Sequence, residues 1–315
     1  MRPQRALSAA LFLGLVLPAS APISALAQHF NGDRAFDITK QFVAIGPRWA
    51  GSPGHAKAES FLRNEFKHDH LEEDTFTANT PIGPVPMHNF IVKFPGKKDG
   101  VIVLCTHYET NYPLKDTSFL GANDGGATTG LLIEIANELR PQMTGGKLDG
   151  YSVWLLFDDG EEAIANPPYS ANQWSDSTAM WGTRHLAAKW SQDGTLQRIK
   201  AFLLADMIGD KDLDVLKESQ STPWLTALVA EAARNTGHAK YFFASEGAEE
   251  DDHLPFLKRG VPSIDIIDVN YGPHNAQTPD GWHHTPQDTM DKISAKSLTI
   301  SGDVFLESIK LIDRR

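Results

Sequence analysis

The chain has 315 residues, 41% of them apolar and 22% charged, which describes an ordinary folded protein built on one large domain. A net charge of −11 speaks against a nucleic-acid partner. Cys105 is the only cysteine, which excludes an internal disulfide, so stability must come from the core.

Arg2 and Arg5 precede an apolar run over residues 6–17, followed by small residues ending in Ala25-Leu26-Ala27. That order is the pattern of a cleavable secretory signal peptide, and the run is too short to span a membrane. Cleavage after Ala27 is predicted, giving a signal peptide over 1–27 and a single catalytic domain over 28–315, secreted or periplasmic. Loss of Arg2 and Arg5 moves the net charge from −11 to −13.

Residues 28–37 read as irregular, and a helical pattern begins over 38–43. A Gly/Pro loop over 46–54 leads into a helix over 55–67, with Ala58, Phe61, Leu62 and Phe66 at helical spacing. Strands are predicted at 72–78 and 88–94, around the turn Pro81-Ile82-Gly83-Pro84. The apolar run 101–106 holds Cys105 and ends in His107; it reads as a buried strand. Helix 127–140 follows, with Leu131, Leu132, Ile135 and Leu139 on one face. Strand 151–157 runs directly into Asp158-Asp159-Gly160-Glu161-Glu162. Residues 164–177 read as a surface loop and 178–190 as a helix. Strand 199–205 ends in Asp206. Helix 222–236, a short strand 241–244, a short helix 251–259 and strand 263–267 come next. A polar loop over 268–287 precedes a last helix over 295–312.

Strands alternating with helices imply a three-layer α/β/α protein with a mostly parallel, mixed central sheet and helices on both faces. Sites in such sheets form beyond the carboxyl ends of the strands. His107, the acids at 158–162, Asp206 and the loop after Ile267 all fall there. Four acids at the end of an apolar strand are costly unless a cation or a proton balances them. The adjacent Glu161 and Glu162 cannot point the same way, which divides metal binding from proton transfer. With Asp124 in Gly121-Ala122-Asn123-Asp124-Gly125-Gly126 and His283-His284-Thr285-Pro286, the set becomes His, Asp, Glu, Asp and His. Such a set suits zinc.

The sequence resembles the zinc aminopeptidase superfamily, and within it the glutaminyl cyclases, from about Gly46 to the C-terminus. The segments that carry the resemblance include Cys105-Thr106-His107-Tyr108, Gly121-Ala122-Asn123-Asp124 and Phe157-Asp158-Asp159-Gly160-Glu161-Glu162-Ala163. Two runs are more specific to cyclases: Arg184-His185-Leu186-Ala187-Ala188, and the twelve residues from Asp251-Asp252-His253 to Gly260-Val261-Pro262. The resemblance implies one zinc ion per chain, held by Asp124, Glu162 and His284. It implies Glu161 as general acid/base, with Asp206 and Asp251 as hydrogen-bonding acids beside it. Trp174, Asp265, Trp282 and His283 would form the substrate pocket. Asp265 stands where animal cyclases carry a histidine, and His283 where a tryptophan usually precedes the last ligand. His283 is therefore an alternative ligand to His284. His107 and Asp206 are candidates for a second metal or for support of the first. The implied reaction converts the N-terminal glutamine of peptides or proteins to pyroglutamate and releases ammonia. A monomer is expected. The rival reading is a zinc aminopeptidase, whose ligand set is the same.

Overall fold

A computed structural model describes residues 30–168, 170, 173–276, 278 and 280–315, so the predicted signal peptide lies outside the described residues. The first helix, α1 (Gly32–Val43), starts earlier than expected. Asn31 caps it by accepting from the Arg34 N–H at 3.0 Å, and Ala35, Ile38 and Phe42 face the core. Gly32 and Asp33 made this first turn read as irregular. Gly32 is where α1 meets the last helix: a Cβ there would lie 2.1 Å from Thr299 Oγ1. Helix α2 (Pro53–Glu65) begins on Ser52, whose side chain accepts from the His55 N–H, with Pro53 in the first turn.

The strands are β1 (Leu71–Thr80), β2 (Gly83–Phe94), β3 (Val101–His107), β4 (Ser152–Asp158), β5 (Ile199–Asp206), β6 (Val215–Glu218), β7 (Phe242–Gly247) and β8 (Ser263–Ile267). Six of them form one sheet in the order β1-β2-β4-β3-β5-β8. β1, β2 and β4 pair antiparallel; β4, β3, β5 and β8 run parallel. β6 and β7 make a separate parallel pair. The β6 strand has only four residues between polar loops, too short a run to stand out in the sequence.

The remaining helices are α3 (Thr128–Leu139), α4 (Trp181–Asp193), α5 (Pro223–Asn235), α6 (Leu254–Leu257) and α7 (Ala295–Asp313). Alternation along the strands explains why both faces are covered. Ile102 and Leu104 of β3, with Leu203 of β5, pack with α1, α3, α5 and α7. Val103 and Cys105, with Phe202 and Leu204, pack on the other face with Leu186 and Trp190 of α4 and Phe256 of α6. Every residue of β3 is buried, as a central parallel strand requires. This is the three-layer α/β/α arrangement expected from the sequence.

Register then sets the site. His107 pairs with Asp158 at the carboxyl end of β3 and β4, and Asp206 pairs with Ile267 at that end of β5 and β8. Among the described residues, no helix is long and apolar enough to cross a membrane.

Candidate active site

Four strand ends and three loops bring the predicted residues together. His107 is 1% exposed, at the end of β3. Its Nε2 lies 3.1 Å from Asp124 Oδ1 and 3.5 Å from Asp206 Oδ1. Neither ring nitrogen makes a well-aligned hydrogen bond, and Asp124 Oδ2 and Asp206 Oδ1 are likewise buried without one. Lone pairs that converge without pairing are the mark of a cation site. Gly125 makes room for the ring: a Cβ there would sit 2.8 Å from His107 Cε1, and its φ of 74° favours glycine.

The two glutamates after β4 diverge. Glu162, 1% exposed, turns inward. Its Oε2 accepts from Asn111 Nδ2 at 2.6 Å, and His284 Nε2 lies 3.0 Å from the same oxygen. His284 Nε2 is also 3.4 Å from Asp124 Oδ2, so His284 stands between the two carboxylates. Glu161 turns instead into a cavity of about 510 Å³, within the range of ligand pockets. Asp124, Asp206, Asp251 and His284 line the same cavity. Asp124, Glu162 and His284 thus offer two carboxylates and an imidazole, a donor set that fits zinc. His283 Nε2 is 3.9 Å from Asp124 Oδ2, farther than His284 Nε2, and His283 lines the cavity with a third of its side chain exposed.

His284 adopts a left-handed backbone, φ 51°, and so does Met207, φ 49°, directly after Asp206. Such conformations cost a non-glycine residue about 1–3 kcal/mol and cluster where function holds them.

Electrostatics follow from burial. Burial, then Asp251 and Glu162, push the Glu161 carboxyl well above the ordinary carboxylate range, against the pull of His107. Burial, then Asp206 and Asp252, do the same to Asp251. Burial and Asp124 raise Glu162, while His107 and Asn111 oppose. Burial disfavours the His107 cation, yet Asp124, Asp206 and Glu161 lift its proton affinity well above the usual histidine value.

The pocket residues divide. Trp174 and His283 line the cavity. Asp265 does not: it is 0% exposed on β8, among the residues behind the wall, with both oxygens unbonded and His253 Nδ1 4.0 Å away. Trp282 also stands outside the lining, edge-on to Tyr271 at 5.4 Å. β8 buries residues 263–267 completely, so its acid points into the interior.

Asp158 and Asp159 brace the acidic loop. Asp159 accepts from the His88 N–H at 2.7 Å and from His55 Nε2 at 2.8 Å, tying the loop to β2 and α2. Asp158 sits against the start of α4, where a Cβ on Gly182 would lie 2.4 Å from its Oδ1. His55 is 3% exposed. Burial works against its charge, but Asp159 and Glu59 raise its pKa to about 9. A histidine raised from 6.5 to about 9 stabilises the fold fully below the unfolded value near pH 6.5, and the contribution is lost as pH rises through about 9. The shift corresponds to roughly 3 kcal/mol. Thermal melting of wild type and His55→Gln should therefore differ most near pH 6, with the gap narrowing as pH rises from about 6.5 to about 9; a gap independent of pH would refute the charge assignment.

Sequence reasoning missed three residues. Arg48 is wholly buried and donates to the carbonyls of Tyr108, Leu120 and Gly121, holding the loop before Asp124. Its only signal was an arginine inside a Gly/Pro loop. Asn111 bridges Glu162 and His284, with no sequence signal. Asp288 accepts from the Asn123 and Asp124 N–H groups at 2.8 and 3.2 Å and from Tyr271 Oη at 2.5 Å. Groups that orient ligands typically contribute about 10–100-fold in metal affinity. Asp288→Asn should weaken zinc binding by that order in chelator competition; unchanged affinity would show that Asp288 does not orient Asp124.

The description "Peptidase family M28" matches residues 89–309. The crystal structure of Acidobacteriales bacterium glutaminyl cyclase superposes with a TM-score of 0.87 at 58% identity, over 94% of this chain and 99% of that one. A glutaminyl-peptide cyclotransferase of Drosophila melanogaster is 29% identical over 270 residues, 78% of this chain and 72% of the relative. A Zn-dependent exopeptidase from Parabacteroides distasonis superposes with a TM-score of 0.76 at 26% identity, over 91% of this chain and 99% of that one. The strand-end site and these likenesses agree: the chain belongs to peptidase family M28, among its glutaminyl cyclases.

Proposed function

We propose that this protein is a zinc-dependent glutaminyl-peptide cyclotransferase that converts N-terminal glutamine of peptides or proteins to pyroglutamate and releases ammonia. The observation that carries the reading is the division of the two glutamates: Glu162 faces His284, while Glu161 opens into the cavity with Asp206 and Asp251. The likeness to a bacterial glutaminyl cyclase at 58% identity supports it.

Asp124, Glu162 and His284 would hold one zinc ion, which when bound supplies Lewis-acid polarisation of the side-chain carbonyl of the substrate glutamine. The α-amine and that carbonyl belong to one residue, so the cavity need only orient them. Glu161 takes the proton from the attacking amine as the new C–N bond forms. It then delivers the proton to the departing amide nitrogen, which leaves as ammonia. This needs a carboxyl whose pKa lies near the working pH, and burial with Asp251 and Glu162 pushes Glu161 in that direction. Trp174 gives the cavity an aromatic wall against which the glutamine side chain can pack.

We further propose a single domain over 28–315 that is exported as a monomer after cleavage behind Ala27. Mass spectrometry of the exported chain should find Gln28 at its start.

A second reading, zinc aminopeptidase, is favoured by one observation. His107, Asp124 and Asp206 form a further convergent donor group beside the one made by Asp124, His283 and His284. A single assay pair separates the two: a glutaminyl substrate read for cyclisation and a leucyl anilide read for hydrolysis, with zinc counted per chain. Cyclisation with one zinc supports the cyclase. Leucine release with two zincs overturns it.

A further inference from the structure

Asp251, Asp252 and His253 are consecutive and buried, and they lie between β7, which ends at Gly247, and α6, which begins at Leu254. A helix of only four residues gives such a segment little support. Its side chains are nevertheless all engaged. Asp251 lines the cavity that Glu161 also lines. Asp252 accepts from the Thr183 hydroxyl of α4. His253 meets Glu218: its Nε2 lies 3.3 Å from Glu218 Oε2, and both side chains are fully buried.

Glu218, the last residue of β6, is a fixed anion. Its carboxylate accepts from the Gln220 N–H at 2.8 Å, the Ser221 N–H at 2.6 Å and the Ser221 hydroxyl at 2.8 Å. Burial works against the anion, yet His253, the Gln220 N–H and the Ser221 hydroxyl hold the carboxyl down at about 2. The turn that supplies these donors is fastened to the central sheet. Ser221 Oγ accepts from the Asp265 N–H and Thr222 Oγ1 from the Ser263 N–H of β8, both at 3.0 Å. A buried carboxylate on so rigid a footing fixes the tautomer and orientation of its histidine partner. Asp251 needs such a tether, because its buried surroundings include the acids Asp206 and Asp252.

We infer that His253, anchored on Glu218, is a positioning residue that sets Asp251 against Glu161 for the proton transfer. The inference rests on the cyclase reading and adds a support for its chemistry, running from β8 through Glu218 and His253 to the cavity. His253 is enclosed and does not line the cavity. Its loss should therefore lower kcat and leave KM and zinc content largely unchanged.

The experiment uses the zinc-loaded mature chain and the amidated tripeptide Gln-Ala-Ala, assayed for cyclisation. H253L keeps much of the side-chain volume and removes the donor, whereas H253Q places an amide nitrogen near the former Nε2. H253L should lower kcat about 10–100-fold, since a small misplacement of a reacting group can cost about 10²-fold, with KM changed less than about threefold and zinc per chain unaltered. H253Q should return kcat to within about threefold of wild type. In a D251N background H253L should add less than about threefold, because residues that act through one another are not additive. Circular dichroism and thermal melting establish folding at the assay temperature. If H253L does not fold, E218Q/H253L, which leaves no unpaired charge buried, takes its place. Near-wild-type kcat in the folded leucine variant, no recovery in H253Q, or an undiminished effect in the D251N background each overturns the positioning role. Cyclisation by wild type in those cases leaves the cyclase reading standing. Failure of the zinc-loaded wild type to cyclise the peptide overturns the cyclase reading and the inference with it.

Discussion

Glu161→Gln is expected to lower kcat for glutaminyl-peptide cyclisation by about 10²–10⁴-fold, the usual contribution of a positioned acid/base, with little change in zinc content. The side chain is nearly isosteric and lies on the cavity side of the loop, whereas Glu162 faces His284. Loss of the proton acceptor should therefore leave the proposed ligands in place. Metal analysis together with single-turnover kinetics checks this. Near-normal turnover in a zinc-replete variant would remove Glu161 from the chemistry. Depletion of zinc would instead show that Glu161 supports the metal. The wild-type pH profile should carry the same group on its acid side: a carboxyl raised by burial, Asp251 and Glu162 becomes a competent base only as pH rises past its elevated value. Activity should fall on acidification at a higher pH than an ordinary carboxylate would give, and that limb should vanish in the variant.

The second large effect concerns the two adjacent histidines. His284→Ala should weaken zinc binding by at least about 10²-fold, beyond what the loss of an orienting partner costs, and abolish cyclisation. His283→Ala should leave zinc affinity within about threefold, a change of under 1 kcal/mol. The reason is geometric. His284 Nε2 lies 3.0 Å from Glu162 and 3.4 Å from Asp124, whereas His283 Nε2 lies farther from Asp124, at 3.9 Å. Chelator competition on both variants decides between them, with circular dichroism to confirm folding. The opposite ranking would make His283 the ligand. His284 also holds a left-handed backbone that alanine tolerates poorly, so His284→Asn, better suited to φ 51°, serves as the control for strain. It should bind zinc as weakly as the alanine variant.

The strands were legible because their periodicity is simple. Residues 101–105 are apolar at every position, and 199–205 at every position but Lys200, a pattern that covers both faces of a sheet and leaves little ambiguity. Helix α1 was only half legible, because Gly32 and Asp33 suit a cap and a close helix contact better than a helix interior. β6 was invisible: its four residues are fixed by pairing with β7, a contact between segments more than twenty residues apart.

Chemistry divides in a similar way. From the sequence alone came the acids crowded behind β4, the strand-end positions of His107 and Asp206, and the expectation that neighbouring glutamates divide their work. Local rules suffice there, because the end of a buried strand fixes where the next residues emerge and uncompensated charge demands a partner. Tertiary structure decided which glutamate faces which way, that Asp265 is enclosed within β8 instead of lining the cavity, and that Arg48, Asn111 and Asp288 hold the site together. Those outcomes depend on packing between segments distant in the chain, such as Asp288 against Asn123 and Asn111 against Glu162. Spacing along a sequence carries no record of such contacts, since each is settled only when burial forces a polar group to find its partner.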